Sequence, residues 1–158
     1  MKRRNFIKSM MAASAVAAVP MTLMAKEEAK KEAPKGPNAL SIDAAIDAIT
    51  GGKGATASEK VSLTVPEIAE NGAVVPVKVN VDHPMEEGNY VKSIHVLAAK
   101  NGNSRCADVM LTPANAKAYF ATRVKLSSTQ EVIAVAALSD GTFIKAGKSV
   151  KVTIGGCG

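Results

Sequence analysis

From Lys60 to Ile154, apolar and polar residues alternate in short bursts, and this period of two restricts the fold more than any other feature. Val75, Val77, Val79 and Val81 alternate with Pro76, Lys78 and Asn80, while Phe120, Thr122, Val124 and Leu126 alternate with Ala121, Arg123 and Lys125. Successive strand side chains point to opposite faces, so the pattern describes half-buried strands and not an amphipathic helix. Val61-Leu63-Val65 is a further burst, and others run over Tyr90 to Ala99, Cys106 to Leu111, Glu131 to Leu138, Phe143 to Lys145 and Val150 to Ile154. Turn signals separate them: Pro66 to Gly72, Pro84 to Gly88, Asn101-Gly102-Asn103, Thr112 to Asn115, Asp140-Gly141 and Ala146-Gly147. About seven or eight short strands, with turns roughly every 8 to 12 residues, predict an all-β, immunoglobulin-like β-sandwich; an open barrel is the alternative. The chain has no Trp, so the tryptophan that packs in antibody-type sandwiches is missing.

The residues ahead of the strands divide into three parts. Ser41 is a capping residue, Ile42, Ala45, Ile46 and Ile49 share one helical face, and Gly51-Gly52 stop the run, so a short helix is predicted from Ile42 to Ile49. Residues 53–58 read as a loop. Residues 26–40 form a polar linker of Lys and Glu broken by Pro34 and Pro37, without apolar periodicity. Residues 1–25 carry a basic head (Lys2, Arg3, Arg4, Lys8), a short apolar stretch and a terminal Ala25, which describes an export signal. Arg3-Arg4-Asn5-Phe6-Ile7-Lys8 fits the twin-arginine pattern. The expected organisation is therefore a signal over 1–25, a linker over 26–40, a helix plus sandwich over 41–154 and a C-terminal arm over 155–158. The expected location is the periplasm.

The formal charge of +6 suggests a nucleic-acid or membrane-surface partner until the signal is removed. Residues 1–25 hold four basic and no acidic residues, so 16 basic face 14 acidic in the remainder, a balance of +2. Neither kind of partner is expected on that balance.

Catalytic constellations are sparse. His95 lies in a strand, facing out or hydrogen-bonded, and His83 lies in the turn Asp82-His83-Pro84-Met85, a weak candidate metal site. Glu86-Glu87 read as a solvated turn. No nucleophile elbow, phosphate loop or HExxH motif is present, so no catalytic residue, no metal and no cofactor is assigned.

Chemistry is left to two cysteines, too few for a disulfide-dense scaffold or a four-cysteine metal site. Cys157 stands in Ile154-Gly155-Gly156-Cys157-Gly158, where the strand runs directly into glycine. Glycine gives up side-chain contacts and has the greatest backbone freedom, so Gly155, Gly156 and Gly158 read as a flexible mount for an exposed thiol. Such a thiol suits covalent attachment of a cargo shown to other proteins. Two other pairings remain open: a Cys106–Cys157 disulfide stapling the tail, and an intermolecular disulfide. A staple, however, needs no glycine on either side of its sulfur. Cys106 shares a strand with Val109 and Leu111 and reads as a core thiol, or as a partner in one of those disulfides.

At this tail the sequence resembles the SoxY family, sulfur carriers of the periplasmic thiosulfate-oxidising Sox system. PEIAENGAVVPVKV (66–79), LTPANAKAYFATRVKL (111–126) and ALSDG (137–141) extend the likeness, and the tail matches Gly-Gly-Cys-Gly-Gly except for its final glycine. The resemblance implies an immunoglobulin-like domain paired with a SoxZ subunit, which has no export signal and leaves the cell already bound. It also implies that Cys157 carries sulfur intermediates among a cytochrome, a sulfate-releasing hydrolase and, in some organisms, a sulfane dehydrogenase. The carrier itself catalyses nothing. Cys106 departs from the family's single-cysteine pattern. The competing function is an exported binding or scaffold module whose tail cysteine only forms an intermolecular disulfide.

Overall fold

Val75, Val77, Val79 and Val81 all point inward on one strand, and the two sheets of the computed structural model are built around rows of this kind. The structure describes residues 39–156; the expected export signal over 1–25, the expected linker up to residue 38, Cys157 and Gly158 lie outside the described residues. The smaller sheet has the order β2–β4–β7, from Val61–Thr64, Val75–Val81 and Ala118–Val124, all antiparallel. Pro76 is tolerated in the central strand because β2 pairs only with Lys78 to Val81, which leaves one edge of β4 open at the proline.

The larger sheet has the order β1–β9–β8–β5–β6, from Thr56–Ala57, Phe143–Ile154, Gln130–Leu138, Val91–Ala98 and Arg105–Met110. β3 (Ile68–Asn71) also pairs with β9. Ile94, Val96, Val132, Ala134, Ala136 and Val150 face the valines of β4 across the core. Apolar burial of this extent between two sheets is what holds a sandwich together.

The helix forms where expected, as α1 (Ile42–Thr50). The Ser41 hydroxyl accepts the Ala44 N–H at 3.3 Å, and Gly51 closes the helix in the left-handed region at φ 61°. α1 lays Ala45, with Ile42, Ile46 and Ile49, against Leu97 and Val135 on the outer face of the larger sheet.

Three details depart from the sequence reading. Thr56–Ala57 and Ile68–Asn71, read as loop and turn, are short strands that add to β9 in parallel. Their pairing partner lies some eighty residues onward, and two or four residues carry too little alternation to reveal it. The two bursts around Ala146-Gly147 form one twelve-residue strand. Gly147 is not a turn there: a side chain at that position would collide with the Glu131 carboxylate lying over it from β8.

Candidate functional site

The candidate site sits where β9 leaves the larger sheet. β8 holds β9 as far as Val150, opposite Gln130; beyond it, Lys151, Val152 and Ile154 pair with Ile68, Ala69 and Asn71 of β3. The Thr129 hydroxyl adds a tie, accepting the Val152 N–H at 3.0 Å. Three backbone hydrogen bonds then close a clasp. Gly72 N–H donates to the Ile154 carbonyl at 2.7 Å, Leu126 N–H to the Gly72 carbonyl at 2.7 Å, and Gly156 N–H to the Leu126 carbonyl at 3.0 Å. Leu126 lies two residues past the end of β7 and is fully buried, so its carbonyl is a fixed acceptor.

The glycines of the tail therefore do more than supply freedom. A methyl group on Gly155 would overlap the Ser127 carbonyl, and one on Gly156 would lie 2.7 Å from the Ala73 backbone. The sequence reading gave both residues to a flexible mount; in the structure Gly156 is buried and Gly155, though exposed, lies close against Ser127, because bare backbone lets the strand end press against two neighbouring loops. Cys157 follows immediately on this seat and, with Gly158, lies outside the described residues.

A network of two amides, Gln130 buried and Asn101 half-buried, holds the loop on which the tail rests. The Asn101 side-chain oxygen accepts the Ser127 N–H at 3.1 Å and Gln130 Nε2 at 2.9 Å, while its nitrogen donates to the Lys125 carbonyl at 2.8 Å. Gln130, only 3% exposed, accepts the Lys100 N–H at 2.7 Å and donates to the Ser128 carbonyl at 3.2 Å. Amides bonded through both oxygen and nitrogen in this way fix a loop in one geometry.

Cys106 touches the same network. It is half-buried on β6, packs against the core and carries a free thiol that donates to the Ser104 carbonyl at 3.6 Å. Burial pushes its pKa up, outweighing the opposing contact from Asn101 Nδ2 at 3.7 Å. A thiol kept protonated in this way is a poor nucleophile at neutral pH. This favours the core-thiol reading of Cys106.

A serine, a histidine and an aspartate also meet, on the outer face of the larger sheet. Ser93 Oγ lies 2.9 Å from His95 Nε2, His95 Nδ1 lies 2.5 Å from Asp108 Oδ1, and Arg105 Nε donates to Asp108 Oδ2 at 2.8 Å. The order of partners is that of a hydrolytic triad, but Ser93 is 5% and His95 4% exposed. A hydroxyl so covered cannot reach an acyl substrate, so the trio satisfies a buried imidazole. His95 is thus hydrogen-bonded, one of the two states its strand position allows. The two ring nitrogens of His83 have no partner among the described residues, and Met85 packs against the core. No three His, Cys, Asp or Glu side chains gather into a metal-binding group among the described residues. Glu86 and Glu87 are exposed in their turn.

Gly72, Leu126, Asn101 and Gln130 escaped the sequence reading as site residues. Gly72 and Asn101 stood inside turn signals, yet nothing in a turn reveals which distant backbone it will meet.

Fold and site define a class: a two-sheet sandwich that seats its own C-terminal segment between two loops. The description "Sulfur oxidation protein SoxY" matches residues 46–157, most of the chain, and the matched span runs through to Cys157. Among solved structures, the chain is similar to the sulfur carrier protein SoxY from Chlorobium limicola f thiosulfatophilum, with 30% identity and a TM-score of 0.62 over 72% of this chain and 97% of that one. A superoxide reductase (neelaredoxin) from Ignicoccus hospitalis shares the fold alone, at 20% identity and a TM-score of 0.54 over 60% of this chain and 80% of that one. No curated protein sequence matches. The chain belongs to the SoxY family of sulfur oxidation proteins, as the resemblance of its tail and strand motifs implied.

Proposed function

We propose that this protein carries sulfur covalently on Cys157 during periplasmic oxidation of thiosulfate or sulfide, presenting it to the enzymes of a Sox system. The observation that carries the reading is the SoxY family match, which extends to Cys157. The seat supports it: the clasp ties down the backbone through Gly156, the residue that immediately precedes Cys157 in the chain. Cys106 is disfavoured for the role because burial raises its pKa and it lies half-buried against the core.

The chemistry balances as follows. The Cys157 thiolate and thiosulfate form a sulfur–sulfur bond, and the two electrons released pass to a c-type cytochrome. Water then cleaves the terminal sulfonate as sulfate and two protons, leaving a persulfide on Cys157. A sulfane dehydrogenase can oxidise the remaining sulfur. Each reaction belongs to a partner, and this chain is the mount. Export through the twin-arginine pathway, already paired with a SoxZ-like subunit, completes the proposal. It rests on the Arg3-Arg4-Asn5-Phe6-Ile7-Lys8 motif and on family membership.

The test is loading. Purified protein incubated with thiosulfate and the oxidising cytochrome gains a thiosulfonate adduct, which Cys157→Ser abolishes and Cys106→Ser leaves intact. Absence of any adduct, or an adduct on Cys106, refutes the proposal.

A further inference from the structure

We infer that Gly72 is a positioning residue for the carrier cysteine. It latches the root of the tail so that Cys157 is presented from a docked base, and releasing the latch lengthens the reach of the sulfur. The significance of the latch rests on the carrier reading of Cys157; its geometry does not.

Gly72 is the hub of the clasp. Its N–H holds the Ile154 carbonyl, its carbonyl holds the Leu126 N–H, and the Leu126 carbonyl in turn holds the Gly156 N–H. The residue has no positive φ that would call for glycine. What calls for it is proximity: a methyl group there would overlap the Leu126 carbonyl and stand 2.8 Å from both the Gly156 nitrogen and Val152 Cγ1. Gly155 and Gly156 meet the same restriction from the other side, against Ser127 and Ala73. Gly72 and the distant pair Gly155-Gly156 thus make one backbone-to-backbone contact that any Cβ would open. The Asn71 side chain accepts the Ala73 N–H at 2.8 Å and shapes the turn that carries Gly72.

The latch sets how far the sulfur travels. With Gly156 bound, the Cα of Cys157 stays about 3.8 Å from that of Gly156, one trans peptide away. With the Gly156 bond open and the chain held at Ile154, three residues extend to roughly 10 Å. The Leu126–Gly156 hydrogen bond thus selects between a short and a long arm.

The experiment compares the full chain with Gly72→Ala and Gly155→Ala by amide hydrogen exchange and by the mobility of a nitroxide label on Cys157, in a Cys106→Ser background. In the unsubstituted chain the Gly156 amide is protected on the order of tenfold, as expected for one net hydrogen bond. Both substitutions remove that protection and raise label mobility, while the amides of Val77 and Val79 in the core exchange as before. A purely structural role for Gly72 would move core and tail together. A Gly156 amide that exchanges freely in the unsubstituted chain overturns the inference even if neither variant folds. So does unchanged label mobility in a folded Gly72→Ala. Adduct formation with thiosulfate is scored separately: its failure beside a protected Gly156 refutes the carrier reading and leaves the latch standing.

Discussion

Replacing Gln130 with alanine probes how the seat of the tail is held. The Gln130 side chain makes three hydrogen bonds, to Lys100 N–H, Asn101 Oδ1 and the Ser128 carbonyl, at a position 3% exposed. At a net contribution of about 1 kcal/mol each, their loss costs at most about 3 kcal/mol. Lys100 and Ser128 are exposed residues, so water replaces part of what is lost and about 2 kcal/mol remains. For a domain of this size that lowers Tm by roughly 6 to 10 °C. Urea or thermal unfolding followed by circular dichroism reads the shift. Asn101→Ala and the double variant complete a cycle, and the Asn101–Gln130 bond predicts a coupling of about 1 kcal/mol. A Tm shift under about 2 °C, or strict additivity of the two substitutions, refutes the claim that this network fixes the 125–128 loop.

Two further outcomes follow from the same geometry. Burial raises the pKa of Cys106, so the folded state holds its thiol proton more tightly than the unfolded chain does. The associated stability is fully present below the ordinary thiol range and is lost as pH rises through the raised value. Alkylation at pH 8 should therefore modify Cys106 much faster in urea than in buffer, and equal rates would show that it is not covered. Asp108→Ala removes the acceptor of the buried His95 ring and should cost about 1 to 3 kcal/mol by denaturant unfolding. Loading of Cys157 should be unchanged by it; loss of loading in a folded variant would give the Ser93–His95–Asp108 trio a role beyond structure.

Much of the sandwich was legible because its signals are local. The four valines of β4 and the capped run from Ser41 to Gly51 each state their own periodicity and their own end. β1 and β3 were not legible: each exists only by pairing with β9, a contact decided by the tertiary fold. The tail shows the same division. Its glycines and cysteine drew attention to the chain end, and glycine alone suggested freedom. The structure shows Gly155 and Gly156 used for close approach, against residues around Gly72 and Leu126 that no spacing rule connects to them. The burial of Ser93 and His95 was equally invisible, since β5 is covered on both faces over much of its length and its alternation is lost.

That Cys157 bears the sulfur is tested most directly by peptide mass spectrometry of the non-reduced protein isolated from cells oxidising thiosulfate. Sulfane or thiosulfonate adducts are expected on the peptide that carries Cys157, with Cys106 recovered as an unmodified thiol. A Cys106–Cys157 disulfide in every molecule, or adducts confined to Cys106, would contradict it.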